Sequence, residues 1–97
     1  MKETTHVALC EVTIRLFAIE SLKVKRGIKK SAMARLRNRF NVSIAEVRFL
    51  DSRELIGLAL AGVSNSRKVL DGLFSDVLTF LEQDLRLVVE DFSLTHL

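Results

Sequence analysis

Proline is absent from the 97 residues, and glycine occurs only four times. So few breaks in the backbone leave a chain built mostly of helices and strands with short connections. There is no Pro-rich or Gly/Ser-rich linker and no low-complexity tract. Cysteine is limited to Cys10, which excludes an internal disulfide and a cysteine-ligated metal cluster and fits a reducing compartment. No apolar run approaches the roughly 20 residues a membrane-spanning helix needs. The stretch from Met1 to His6 is polar and carries Glu3, unlike the basic, apolar and small-residue succession of a secretory leader. The expected location is cytoplasmic, with no membrane association.

Motifs that carry chemistry are equally scarce. Gly27, Gly57, Gly62 and Gly72 are too scattered to form a phosphate-cradling loop. His6 and His96 stand near opposite ends and read as surface side chains, and Cys10 reads as a small core residue. Ser64-Asn65-Ser66 reads as a helix cap. An RNA-recognition motif needs aromatics on its central strands, yet Glu54 to Ala61 has none. A KH domain needs a Gly-x-x-Gly loop, also missing. No catalytic residue, metal or cofactor is expected, and the protein is expected not to be an enzyme.

What is present fills one domain, residues 1–97. Hydrophobic residues make up 48% and charged residues 28%, and a chain this size buries about 65% of its unfolded surface. From Val7 to Ala18 the even positions Ala8, Cys10, Val12, Ile14, Leu16 and Ala18 are all apolar, a strand with one buried face. Ser21 to Phe40 reads as a helix capped by Ser21. Its buried stripe is Ile28, Ala32, Met33, Leu36 and Phe40, and Asn41 is expected to end it in a left-handed conformation. Gly27 loosens its first turn.

Ser43 to Leu50 reads as a strand with Ala45, Val47 and Phe49 on one face and Glu46 and Arg48 on the other. Leu55 to Val63, apolar on both faces, reads as a central strand. Asn65 or Ser66 caps a second helix, striped by Val69, Leu70, Leu73, Phe74, Val77, Leu78 and Leu81. Leu87 to Leu94 closes the chain as a strand. The order predicts an α+β, ferredoxin-like β-α-β-β-α-β sandwich: a four-stranded antiparallel sheet with two helices on one face and the first and third strands central. The other sheet face is expected to be open and to show Thr13, Arg15, Glu46 and Arg48. Val7, Leu9 and Phe17 on that half-apolar face are the expected contacts of a homodimer.

Charge is distributed very unevenly. Between Ser21 and Ala45 stand eight basic residues, Lys23, Lys25, Arg26, Lys29, Lys30, Arg35, Arg37 and Arg39, and no acidic one. The rest of the chain holds seven basic and twelve acidic residues, so the overall +3 conceals a polarised molecule. On a helical wheel Lys23, Arg26, Lys30 and Arg37 fall within an arc of about 60°, opposite much of the buried stripe. Arg35 and Arg39 lie on another flank, and Lys29 lies close to the apolar arc. Such a row concentrates positive potential, for which phosphate backbones are natural partners.

Three segments carry a family resemblance: Ser21-Leu22-Lys23-Val24-Lys25-Arg26, the stretch from Leu36 to Val47 (LRNRFNVSIAEV), and Val63-Ser64-Asn65. They are similar to the signatures of the YlxP-like family of small bacterial proteins of unknown function. The resemblance runs across nearly the whole chain. It implies a ferredoxin-like fold, dimers and no assigned enzyme activity. Some relatives are encoded among genes for transcription and translation factors. Gly27, a lysine within Lys29-Lys30 and Ser66 depart from the family pattern, giving a looser and more basic helix start.

The combined expectation is a non-enzymatic accessory protein that docks on structured RNA, ribosomal RNA included. Lys23, Arg26, Lys30 and Arg37 contact phosphates in this reading, and Lys25, Arg35 and Arg39 support them. The alternative is a homodimeric protein-interaction module that uses the open sheet face.

Overall fold

Alternation in the first strand translates directly into burial. β1, His6–Leu16, sends Ala8, Cys10, Val12, Ile14 and Leu16 into the interior, each at most 2% exposed. The computed structural model describes residues 3–17, 19 and 21–97. The expected core position Ala18 and the polar start at Met1 and Lys2 lie outside the described residues.

Both edges of β1 are paired, which makes it central. It runs antiparallel to β3, Leu55–Ser64, from His6 opposite Ser64 to Arg15 opposite Leu55. On its other side it runs antiparallel to β4, Leu87–His96. β2, Ser43–Arg48, pairs with the far edge of β3, giving the sheet order β2-β3-β1-β4. Helix α1, Leu22–Arg39, connects β1 to β2, and α2, Arg67–Glu82, connects β3 to β4. This is the ferredoxin-like α+β architecture, with the two expected strands in the centre.

The two helices hold the sheet differently. α2 buries Leu70, Phe74, Val77 and Leu81 at three- and four-residue steps, a full apolar stripe. Val69, expected on that stripe, is exposed instead. α1 buries only Ala32, Leu36 and the charged Lys25 completely, with Ile28, Met33 and Phe40 packed part-buried against the core.

Both N-caps are serines. The Ser21 hydroxyl accepts from the Val24 amide at 3.2 Å, and the Ser66 hydroxyl accepts from the Val69 amide at 3.3 Å, each satisfying a free donor of a first turn. Asn41 does not take the expected left-handed conformation. α1 ends at Phe40 in extended backbone (φ −124°), with the Phe40 amide donating to the Leu36 carbonyl at 2.9 Å.

β2 also departs from expectation. Its pairing with β3 slips between Glu46 and Arg48, so Glu46 stands opposite Leu58 while Arg48 stands opposite Gly57. An irregularity of this kind breaks the two-residue alternation. Ile44 and Glu46 therefore face the helices, whereas Arg48 reaches the open face and ion-pairs with Glu11. The strand stops before Phe49, the only non-glycine with positive φ (61°) among the described residues.

Gly57 is required by the path of Arg48. A Cβ built there lies 2.6 Å from Arg48 Cβ and 3.2 Å from its Cα and carbonyl oxygen, a clash with atoms close to the backbone that cannot swing aside. Gly57→Ala is expected to destabilise the protein by about 1–3 kcal/mol, as overpacking does. In a urea titration the midpoint falls while the slope stays constant.

Candidate nucleic-acid interface

Lys25 and Lys29 are one helical turn apart and so share a face of α1. That face looks down on Glu46. The Lys29 ammonium meets Glu46 Oε1 at 2.8 Å and the Lys25 ammonium lies 3.6 Å from Oε2. Lys25 is only 1% exposed and also donates to the Phe49 carbonyl at 2.7 Å. The left-handed turn at Phe49 and the buried ammonium are thus joined by one charge-assisted hydrogen bond. Lys25, expected among the surface cations, is a structural clamp. Its aliphatic stem crosses the core edge, and its charge is spent on Glu46.

Arg35 is engaged as well. Its guanidinium donates to Asp84 Oδ2 at 2.9 Å, and Arg86 donates to the same carboxylate at 2.7 Å. Hydrogen bonds from Arg86 and from Arg35 hold the Asp84 carboxyl well below the usual carboxylate range. Arg37 stays exposed, with a 3.3 Å contact to the Ile44 carbonyl. Lys23, Arg26 and Lys30 are exposed, and no ion pair holds them among the described residues. With Arg37 they form a row that extends about 21 Å along the helix, at 1.5 Å rise per residue.

Arg39 and Arg35 flank an aromatic ring that sequence reasoning passed over. Phe80, on the last full turn of α2, has the guanidinium carbons of Arg39 and Arg35 at 5.4 and 5.7 Å from its centroid. Phe40 meets it edge-on at 5.8 Å and 82°. The ring lies at the margin of the α2 stripe, off the line of Leu70, Phe74, Val77 and Leu81. That off-line aromatic was the available signal. It gains meaning only from α1 residues some 40 positions away, which the fold brings alongside.

The expected dimer contacts are not brought together. Val7 and Leu9 lie half-buried on the open face, opposite Val63 and Ala61. Phe17, 58% exposed, is beyond the other end of β1, about 30 Å from Val7 at 3.3 Å per residue. Between them the face is ionic, with Arg15 bonded to Glu54 and Glu90 and Arg48 to Glu11. Glu11, Thr13, Arg48, Asp91 and Ser93 line a shallow polar hollow there.

Cys10 is fully buried, and burial, with Glu11 adding to it, pushes its thiol up to about 12. His96 contacts Asp71 on α2 at 2.6 Å. No group of three or more His, Cys, Asp or Glu side chains suited to a metal occurs among the described residues. No helix among them is long and apolar enough to cross a membrane.

Residues 7–94 match the family described as a protein of unknown function (DUF503), and the chain belongs to that family. It is 36% identical to the "Uncharacterized protein YlxP" of Bacillus subtilis (strain 168) over 75 residues, covering 77% of this chain and 79% of the relative.

Two outcomes follow from these contacts. Glu46→Ala strands the buried Lys25 ammonium and is expected to cost about 3–5 kcal/mol in chemical denaturation. The apolar pair Lys25→Met/Glu46→Leu recovers most of that loss. Asp84, with its carboxyl depressed in the fold, contributes stability above its unfolded value of about 4 that is lost as pH falls through and below that value. Asp84→Asn is expected to flatten that acid limb in thermal melts between pH 7 and 3.

Proposed function

We propose that this protein, a member of a family without an assigned role, is a non-enzymatic accessory factor that docks on structured RNA through the outer row of α1. The supporting observation is a difference between equally charged residues of one helix. The two carboxylates that reach α1, Glu46 and Asp84, are already engaged by Lys25, Lys29, Arg35 and Arg86. Lys23, Arg26, Lys30 and Arg37 are left with uncompensated charge on the solvent side.

A row of four cations along a straight helix suits a rigid polyanion whose phosphates repeat in space. Lysine contributes point charges and arginine forked contacts, so the row recognises shape and charge without reading bases. Ribosomal RNA, dense in such surfaces, is within this class.

A second reading is supported by Val63, 65% exposed beside Val7 and Leu9 at one end of the open face. That small apolar patch suits self-association into a homodimer.

Fluorescence anisotropy with a labelled RNA hairpin separates the two. The wild-type protein is expected to bind with a log–log salt slope of about −3 to −4, the value for four phosphate contacts. Changing Lys23, Arg26, Lys30 and Arg37 together to alanine, a good helix former, removes most of that slope. Equal binding by both proteins, or none at low salt, overturns the RNA reading. The second reading predicts a dimer in sedimentation that Val63→Lys dissociates.

A further inference from the structure

We propose that the groove between the last turns of α1 and α2 receives one unpaired RNA base, held against Phe80 and the guanidinium of Arg39. The proposal rests on the RNA-docking reading and adds a place where sequence, and not charge alone, is read.

The groove has two adjoining parts. One, about 250 Å³, is lined by Arg35, Asn38, Arg39 and Phe80. The other, about 220 Å³, is lined by Arg39, Asp76, Thr79, Phe80 and Gln83. Arg39 and Phe80 belong to both and form the shared wall.

Most of this lining has no structural task to explain it. Arg35 does, because it ties α1 to Asp84. Arg37 also does, because it meets the Ile44 carbonyl near the end of its own helix. Arg39 reaches no carboxylate among the described residues, yet its guanidinium carbon lies 5.4 Å from the Phe80 ring and 6.0 Å from Phe40. The ring is braced by Phe40 at its edge and by Arg35 at 5.7 Å. An exposed guanidinium ordered beside a braced aromatic is a ready platform for a flat, electron-rich ring.

The remaining lining fits a nucleobase better than an apolar side chain. Unstacked bases are recognised by stacking on aromatic rings or guanidinium planes and by hydrogen bonds to their edges. Asn38 and Gln83 each offer a donor and an acceptor on one amide, the pairing a base edge presents. Asp76, an acceptor when ionised, suits a base amino group or a ribose hydroxyl. It disfavours phosphate in its half of the groove, which leaves the phosphate to Arg35 and Arg39 at the other end. Apart from Phe80 the lining offers little apolar surface.

Asn38 also links the groove to the outer row. It lies on the exposed arc of α1 between Lys30 and Arg35, within about 80° of each on the wheel. A strand whose phosphates follow the row therefore passes over Asn38 to bring a looped-out base into the groove.

Two RNA hairpins, identical except for a single unpaired adenosine, test this with the full-length protein by anisotropy. The wild type is expected to bind the bulged hairpin about tenfold more tightly. Phe80→Leu and Asn38→Ala abolish that preference without weakening binding to the unbulged hairpin. The quadruple row variant weakens both. A wild type without preference, or a preference that survives both variants, overturns the groove and leaves the row standing. Should Phe80→Leu not fold, judged by its thermal melt, Arg39→Gln at an exposed position takes its place.

The groove is also tested apart from the row, by titrating AMP, CMP, GMP and UMP and following the Asn38 and Gln83 side-chain amides by NMR. Shifts in the wild type that disappear in Phe80→Leu support the groove even if neither hairpin binds. Absence of shifts together with absence of hairpin binding overturns it.

Discussion

The carboxylate of Glu46 beneath α1 holds the least apolar helix of the protein in place. α2 is seated by four buried apolar side chains, whereas α1 fully buries only Ala32 and Leu36 beside the charged Lys25. What α1 lacks in apolar area it replaces with two ammonium groups converging on one side chain of β2. Ionic seating is directional in a way apolar seating is not. A helix held by packing alone tolerates some rotation about its axis, but rotating α1 by one residue would carry Lys25 and Lys29 away from Glu46 and leave buried charge unmatched.

The chemistry on the outside of the helix follows from that directionality. With Lys25 and Lys29 fixed inward, the row of Lys23, Arg26, Lys30 and Arg37 is fixed outward, and Arg35 and Arg39 are fixed toward α2. One basic segment is thereby divided into a clamp, a solvent-facing row and a flank that meets Phe80. The clamp neutralises its acid completely enough that none of the outer charge is drawn inward. The slipped pairing between β2 and β3 belongs to the same device. It turns Glu46 toward the helix while sending Arg48 to the opposite face, where it covers Gly57 and pairs with Glu11.

The open sheet face is organised on different lines. Cross-strand ion pairs occupy its middle, and apolar side chains are separated at its ends, Val7, Leu9 and Val63 at one and Phe17 at the other. Exposed pairs of this kind add little to stability. They do make the centre of the face costly to desolvate, which distinguishes it from a continuous apolar interface.

Most of the architecture was legible in the residues. The alternation from Ala8 to Leu16, the apolar run of β3, the stripe of α2 and the serine caps each follow from a local period or a local hydrogen bond, and local rules read correctly from a linear text. The side of β2 on which Glu46 falls was not legible, because a single irregularity in pairing reverses a two-residue alternation and leaves no mark in composition. The fate of each cation on α1 was hidden for a related reason. Sequence showed eight basic residues without an acid among them. Only the fold brought Glu46 and Asp84 alongside and decided which charges were spent. The same holds for Phe80, whose neighbours Arg35, Arg39 and Phe40 come from a distant segment. The sequence by itself determined the elements, their order and the excess of positive charge. Tertiary structure alone decided where that charge is free, because pairing depends on distances between segments that local patterns do not encode.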